Sequence, residues 1–367
     1  MTPLNSLNFS GGPGALPERV LLQTQQAILE VPEVGLSVLG ISHRSDWFAS
    51  VLTETEDNIL QLLGLGRNYH VLLLQGGATQ QFSMVPMTLL RGKHRPAQYL
   101  HTGYWSQKSL SDVHLQGDMQ VIWCGEADGF KRLPDDDELV FSQDATYFHY
   151  VSNETVEGLQ FQRVLGREDV PRVCDMSSDF LSKPCEASRF SLLYAHAQKN
   201  IGPAGVTVVV IKDTVLQDAP NDLPAFLDYR QQIAAHSNLN TPPVFAIYVT
   251  LLVTRWLIND IGGLENMAAV NQQKAALLYQ ALDNSDGFYK GWAALRDRSM
   301  MNVTFYLATP ALESEFVAQS ERAGFSGLKG HRAIGGIRAS IYNAMSLQAV
   351  ESLVGFMQDF QTRHKNA

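Results

Sequence analysis

The apolar positions of the chain fall into two textures. From Tyr69 onward, short apolar runs alternate with helix-like stretches: "YHVLLLQ" is followed by a Gly-Gly turn and the helical pattern "TQQFSMVPMTLLR", then by short runs near "AQYLH" and "MQVIW". Further strand candidates are "TYFHYV", "PRVCD", "FSLLYA" and "GVTVVVIK". This alternation predicts an α/β fold, a mostly parallel sheet covered by helices. Beyond about residue 256 the texture changes to long amphipathic helices, "GLENMAAVNQQKAALLYQALD" and "LQAVESLVGFMQDFQTR", around the strands "MNVTFYLA" and "GIRASIYNA". That change predicts a second, smaller α+β domain with the N-terminal segment packed against it. We place the large domain at residues 16–258 and the small one at residues 1–15 and 259–367.

With 367 residues, 45% of them hydrophobic, the chain is long enough for two cores. Its net charge of −9 argues against nucleic acid or an anionic membrane as partner, because either needs a broad basic face. Small anionic substrates fit if the cations are gathered locally. The three cysteines have no CxxC spacing and the ten histidines form no HExxH, so neither a disulfide framework nor a metal site is expected. The N-terminus lacks a basic and apolar leader pattern, and the run "VFAIYVTLLV" is too short to span a bilayer. A cytoplasmic location follows as the expectation.

One stretch carries chemistry. In "SLLYAHAQKNIGPAGVTVVVIK", Lys199 stands between two apolar runs where the chain is about to re-enter the core. A hydrated ammonium near a desolvated site either costs stability or has its charge put to use. The strand "RVCD" ends at Asp175, and ligands of α/β sheets lie outside the strand ends, so two neighbouring strands can deliver a carboxylate and an amine to one pocket. Pyridoxal phosphate needs such a pair: a lysine for its Schiff base, and a carboxylate that keeps the pyridine nitrogen protonated. Taken singly, a surface lysine after a strand and a helix-capping aspartate read the same way.

Other residues join them. In "VLLLQGGATQQF" a strand, Gly76-Gly77, and then Ala78 and Thr79 open a helix whose N–H groups suit a phosphate; a tight connection explains the glycines equally well. Trp105 follows another strand and is placed to cover a flat ring, or to fill a core. "NLNTPPVFAIYV" reads as Thr241 at an N-cap with Pro242 in the first helical turn. Alternation in "GIRASIYNA" puts Ile337, Ala339 and Ile341 on one face and Arg338, Ser340 and Tyr342 on the other, so Arg338 can face a polar cleft.

The stretches "NFSGGPGALP", "SHRS", "LQGGATQQFSMVPMTLL", "TGYWS", "NETVEG", "DMSSDFLS", "AQKNIGPAG", "NTPP", "DRSMMNV", "GLKGHR" and "GGIRASIYNA" run through nearly the whole chain. In this order they resemble the phosphoserine aminotransferases, a family of class V aminotransferases with the aspartate-aminotransferase fold. The resemblance implies a fold-type I pyridoxal-phosphate transferase, with a seven-stranded sheet in its large domain. It implies Lys199 as the Schiff-base lysine, Asp175 as partner of the pyridine nitrogen, Trp105 stacked on the ring and Thr155 on its phenolic oxygen. Ala78, Thr79 and Gln198 would hold the phosphate, with Asn240 and Thr241 reaching in from the second subunit of a homodimer.

For the substrate, the resemblance implies Arg44 and Arg338 near carboxylates, His43, His331 and Arg332 at the substrate phosphate, and Ser10 beside them. The implied reaction interconverts 3-phosphohydroxypyruvate and glutamate with phosphoserine and 2-oxoglutarate, in serine biosynthesis. Bacterial members also act on a phosphorylated hydroxythreonine in pyridoxine biosynthesis. Two positions depart from the pattern: Ala78-Thr79 stands where relatives often carry an arginine, and His196 where many have glycine. A cysteine desulfurase of the same fold would need a mobile nucleophilic cysteine, whereas Cys174 sits in a predicted strand. A nicotinamide dehydrogenase or cofactor-free anion binder could use the Gly76-Gly77 turn.

Overall fold

The computed structural model describes residues 4–365. In chain order the strands are β1 (Tyr69–Leu74), β2 (Ala97–His101), β3 (Met119–Cys124), β4 (Phe148–Val151), β5 (Asn153–Glu154), β6 (Leu159–Gln160), β7 (Arg172–Asp175), β8 (Leu192–His196), β9 (Thr207–Lys212), β10 (Lys290–Gly291), β11 (Asn302–Tyr306) and β12 (Ile337–Ser340). The helices are α1 (Glu18–Leu29), α2 (Asp46–Leu63), α3 (Gly77–Leu89), α4 (Tyr104–Ser109), α5 (Tyr229–Ala234), α6 (Val244–Asn259), α7 (Leu264–Asp283), α8 (Pro310–Arg322) and α9 (Leu347–His364).

Seven strands form one sheet in the order β1-β9-β8-β7-β4-β2-β3. The run from β8 to β3 is parallel, and β9 lies antiparallel to both its neighbours. Helices cover both faces, which is why the "VVVI" of β9 is apolar without a break. Val208 and Val210 of β9 pack with Phe48 and Ile59 of α2 and Ile247 of α6, whereas Val209 and Ile211 pack with Phe82 and Met84 of α3. Strands β10, β11 and β12 form a second, antiparallel sheet. Its core gathers Leu278 and Leu282 of α7, Phe316 of α8, and Leu353 and Phe360 of α9. Phe9 belongs to this core, its N–H donating to the Ser326 carbonyl (2.8 Å) and its carbonyl accepting from Ser340 N (3.0 Å).

Helix α7 touches both cores: Leu264 and Met267 pack under the large sheet, and Leu278 and Leu282 against the small one. Between them Lys274 is fully buried (0% exposed), its ammonium donating to the carbonyls of Ile341 (3.0 Å) and Tyr342 (2.8 Å). Burial pulls that ammonium down to about 7. One turn earlier, Asn271 donates to Ser182 O and to Asn343 Oδ1 (both 2.9 Å), and Asn343 N donates to Asn200 Oδ1 (2.9 Å), next to Lys199.

One expectation is corrected. Helix α6 starts at Val244 with Pro243 at the N-cap and no side-chain cap, so Thr241 does not cap it. Pro243 pushes Pro242 out of the helical region, so Pro242 cannot be the first helical residue. Instead Val244 N turns back to the Pro242 carbonyl (2.8 Å). Among the described residues no single helix is long and apolar enough to cross a membrane; α6 and α7 pass that test only as a pair, bent by 91°.

Replacing Lys274 by Met keeps the side-chain length but leaves two buried carbonyls without a donor. Lys274→Met should therefore cost about 2–4 kcal/mol of stability, read as a lower urea midpoint.

Candidate active site

The geometry of the sheet brings Asp175 and Lys199 together. Asp175 ends β7 and lies in register with Tyr194 of the adjacent parallel strand β8. That strand ends at His196, where Ala197 N donates to Val206 O (2.9 Å) and closes the turn that carries Lys199. Lys199 is 8% exposed; its Nζ donates to Thr155 Oγ1 (2.7 Å) and lies 4.8 Å from the centre of the Trp105 ring. Burial pulls the ammonium down to about 8, against the upward pull of Asp175. Burial likewise pushes the Asp175 carboxyl up, countered by Lys199 and by the Ser177 N–H on its Oδ1 (2.8 Å).

Trp105 is fixed from the hairpin β5–β6, whose turn "NETVEG" also supplies Thr155. The first N–H groups of α4 are taken by its carboxylates: Tyr104 N donates to Glu157 Oε1 (2.9 Å), Trp105 N to Glu154 Oε2 and Ser106 N to Glu154 Oε1 (both 3.0 Å). The Trp105 Nε1 is buried without a partner.

At the end of β1, Gly76 (φ 91°) and Gly77 (φ 69°) turn the chain into α3, leaving Ala78 half-buried and Thr79 exposed. The His196 ring lies against Gly77, where a Cβ would meet its Cδ2 at 2.8 Å. Burial, and next to it Lys199, pull the His196 imidazole down to about 4, so it is neutral. Its Nδ1 and the Gln198 Oε1 are buried without partners.

A cluster of cations closes the other side. Arg338 projects from β12 onto Gly11, and its Nε is buried and unpartnered. The strand's polar face is enclosed: Asn302 Nδ2 donates to Ser340 Oγ (2.9 Å) and to Tyr342 Oη (3.2 Å), and that hydroxyl donates to Gly11 O (2.9 Å). The His331 ring packs against Tyr104 at 4.7 Å, tilted by 59°, and burial followed by Arg338, Arg332 and Lys199 lowers its pKa. Arg332 is exposed beside it, and Ser10 shares the turn with Gly11. His43, Arg44, Asn240 and Thr241 form a separate group. Asn238 Nδ2 donates to His43 O (2.8 Å), while Gln75 binds Asn240 Nδ2 (3.3 Å) and Thr241 O (3.0 Å). Cys174 is sealed inside β7.

An α/β sheet with a lysine and an aspartate at neighbouring strand ends is the frame of a pyridoxal-phosphate-type aminotransferase, and the class-V aminotransferase model matches residues 6–353. The chain belongs to the class-V aminotransferase family, and within it to the phosphoserine aminotransferases. It is 47% identical to the phosphoserine aminotransferase of Laribacter hongkongensis, over 97% of this chain and 99% of that one. The solved phosphoserine aminotransferase from Bacillus circulans subsp. alkalophilus superposes with a TM-score of 0.94 at 44% identity, covering 97% and 98% of the two chains. The pyridoxal-phosphate-bound enzyme from Trichomonas vaginalis gives 0.89 at 33%, covering 96% and 99%. An aspartate aminotransferase from Thermus thermophilus, 17% identical with a TM-score of 0.77, shares the fold, over 97% and 99%.

Sequence reasoning missed Glu154 and Glu157 as supports of α4, and Tyr104 as the neighbour of His331. The available signal was two carboxylates three residues apart in a short hairpin.

Gly77 couples the turn to His196. Gly77→Ala should lose about 1–2 kcal/mol from the left-handed backbone and more from the imidazole contact. Urea unfolding of Gly77→Ala, His196→Ala and the double variant should show the double losing less than the sum of the singles.

Proposed function

We propose that the chain binds pyridoxal 5'-phosphate and transfers an amino group from L-glutamate to 3-phosphohydroxypyruvate, giving 2-oxoglutarate and O-phospho-L-serine. The observation that carries this reading is the buried Lys199 amine, bonded to Thr155, set over the Trp105 ring and facing Asp175 from the next strand. The site fits the cofactor. A buried carboxylate with no cation hydrogen-bonded to it suits a pyridinium N–H, and the His196 ring, its Nδ1 unpartnered, borders the Gly77 turn suited to a phosphate, with the unpartnered Gln198 Oε1 two residues further along the chain. Lys199 would hold the cofactor covalently, Asp175 its ring nitrogen, Trp105 its face, Thr155 its phenolic oxygen, and Ala78, Thr79 and Gln198 its phosphate. When bound, the cofactor withdraws electrons from the carbon that carries the amino group.

The chain's own residues then do the proton work. Lys199, its charge weakened by burial, takes the proton from the substrate Cα as a neutral amine and returns it. Arg338, half-buried with its Nε buried and no ion-pair partner, offers a planar fork to the substrate α-carboxylate. His331 and Arg332 receive the phosphate, and Ser10 lines the same turn.

The second group of residues completes the neighbouring site of a homodimer, with His43, Arg44, Asn240 and Thr241 crossing between subunits. Its support is an apolar surface: Leu29 (74% exposed), Leu36 (53%) and Leu39 (66%) lie on α1 and on the segment leading to His43. The free cysteines fit a cytoplasmic location.

Lys199→Ala should fold yet lose essentially all turnover, together with the visible absorption band that borohydride removes from the wild type; near-normal turnover by the purified variant would sink the assignment. Arg332→Ala should lower kcat/KM for phosphoserine by about 2–4 kcal/mol, and less for glutamate, which lacks a phosphate. Equal losses would mean that Arg332 does not select phosphate. Light scattering of the dilute active enzyme should give twice the mass of the chain, and an active monomer would refute the shared site.

A further inference from the structure

Two buried carboxylates lie beside this site with no part in the reaction just described. Glu154 (1% exposed) and Glu157 (3% exposed) crowd Gly103 together: a Cβ on that glycine would stand 2.5 Å from Glu157 Oε2 and 2.9 Å from Glu154 Cδ. Neither carries an ion-pair partner. Glu154 accepts from Trp105 N, Ser106 N and the Thr102 hydroxyl (3.1 Å), three donors that favour its charged form. Glu157 accepts from Tyr104 N and its charged form is favoured by its own backbone N–H, while its Oε2 is buried with no partner. Burial pushes both carboxyls up, and two like charges in one dry space cannot both persist, so the pair shares a proton, which the fewer side-chain and backbone donors on Glu157 bias toward that residue. Burial first, and Glu154 second, push the Glu157 carboxyl up to about 8.

We propose that Glu154 and Glu157 form a proton-sharing clamp that positions the Tyr104-Trp105 turn, and that loss of the shared proton weakens binding of the phosphorylated substrate. The clamp holds the two residues whose rings meet the reaction centre: Trp105 lies under Lys199, and Tyr104 packs against His331. The substrate side of the proposal rests on the phosphoserine reading above. The charged and titratable groups facing the clamp are Arg338 from β12, His331 across Tyr104, Lys199 across Glu154, and Lys108 of α4 over the Tyr104 ring. A second negative charge here competes with the substrate for Arg338 and His331, and adds repulsion against an incoming dianion. It also sets two carboxylates against each other across the backbone they hold.

The test is Glu157→Gln, which keeps the acceptor for Tyr104 N and removes the titration. In the cofactor-loaded enzymes, the ratio of variant to wild-type kcat/KM for phosphoserine should rise about tenfold between pH 7 and pH 9, since one pH unit above the carboxyl's pKa leaves about a tenth protonated. The rise should be carried by the wild-type KM, with kcat following the same profile in both proteins. A flat ratio overturns the proposal while leaving the substrate assignment standing. Absence of phosphoserine turnover by the wild type at every pH overturns the assignment, and this proposal with it. A measurement on the wild type alone guards against a misfolded variant: the infrared band of a buried protonated carboxyl should be present at pH 6.5 and lost by pH 9.5. Its absence at pH 6.5 overturns the shared proton directly.

Discussion

A primary amine taken out of water has to be held by something, and the centre of this molecule is arranged around that requirement. The chain buries two lysines and treats them differently. Lys274 gives its hydrogens to two backbone carbonyls, with no carboxylate among its bonded partners, and serves as a fixed strut. Lys199 has one hydroxyl and the face of an indole, with Asp175 acting across space. An amine so lightly bonded keeps its lone pair within reach, which suits Lys199 to the reactive role proposed above.

The same requirement explains why so much polar chemistry sits where two cores meet. Asn200 follows Lys199 directly and bonds the exit of β12 through Asn343 N, while Asn343 and Asn271 bind the loop at 181–182 that follows Asp175. The amine, the carboxylate and the guanidinium of Arg338 are thereby tied to one hydrogen-bonded frame. Apolar packing alone would let the small sheet slide over the large one; directional bonds between amides do not.

The strands were legible because each buried run is apolar over several residues and is closed by glycine, proline or a polar turn. The meeting of Asp175 and Lys199 was legible because both stand as isolated charges in apolar text at the ends of neighbouring strands. What stayed hidden depends on partners far away in sequence. Nothing local tells that Glu157 reaches Tyr104, some fifty positions earlier, or that Lys274, one of many polar residues on an amphipathic helix, faces inward. The start of α6 was misplaced because a single proline at a helix start is favourable, whereas the second of two removes the first from the helix.

The proposed carboxylate receptor is stitched from the segments around Gly11, Lys199 and Arg338: Gly14 N donates to Gln198 O (2.8 Å), the Tyr342 hydroxyl to Gly11 O, and Asn343 N to Asn200 Oδ1. On the ribosome, the first of these segments emerges more than three hundred residues before the last. The seven-stranded sheet can close once β9 has been made, but the pocket has no finished wall until the final strand arrives. The proposed reaction centre therefore depends on a strand made after the sheet that carries Lys199, and is complete later than that sheet.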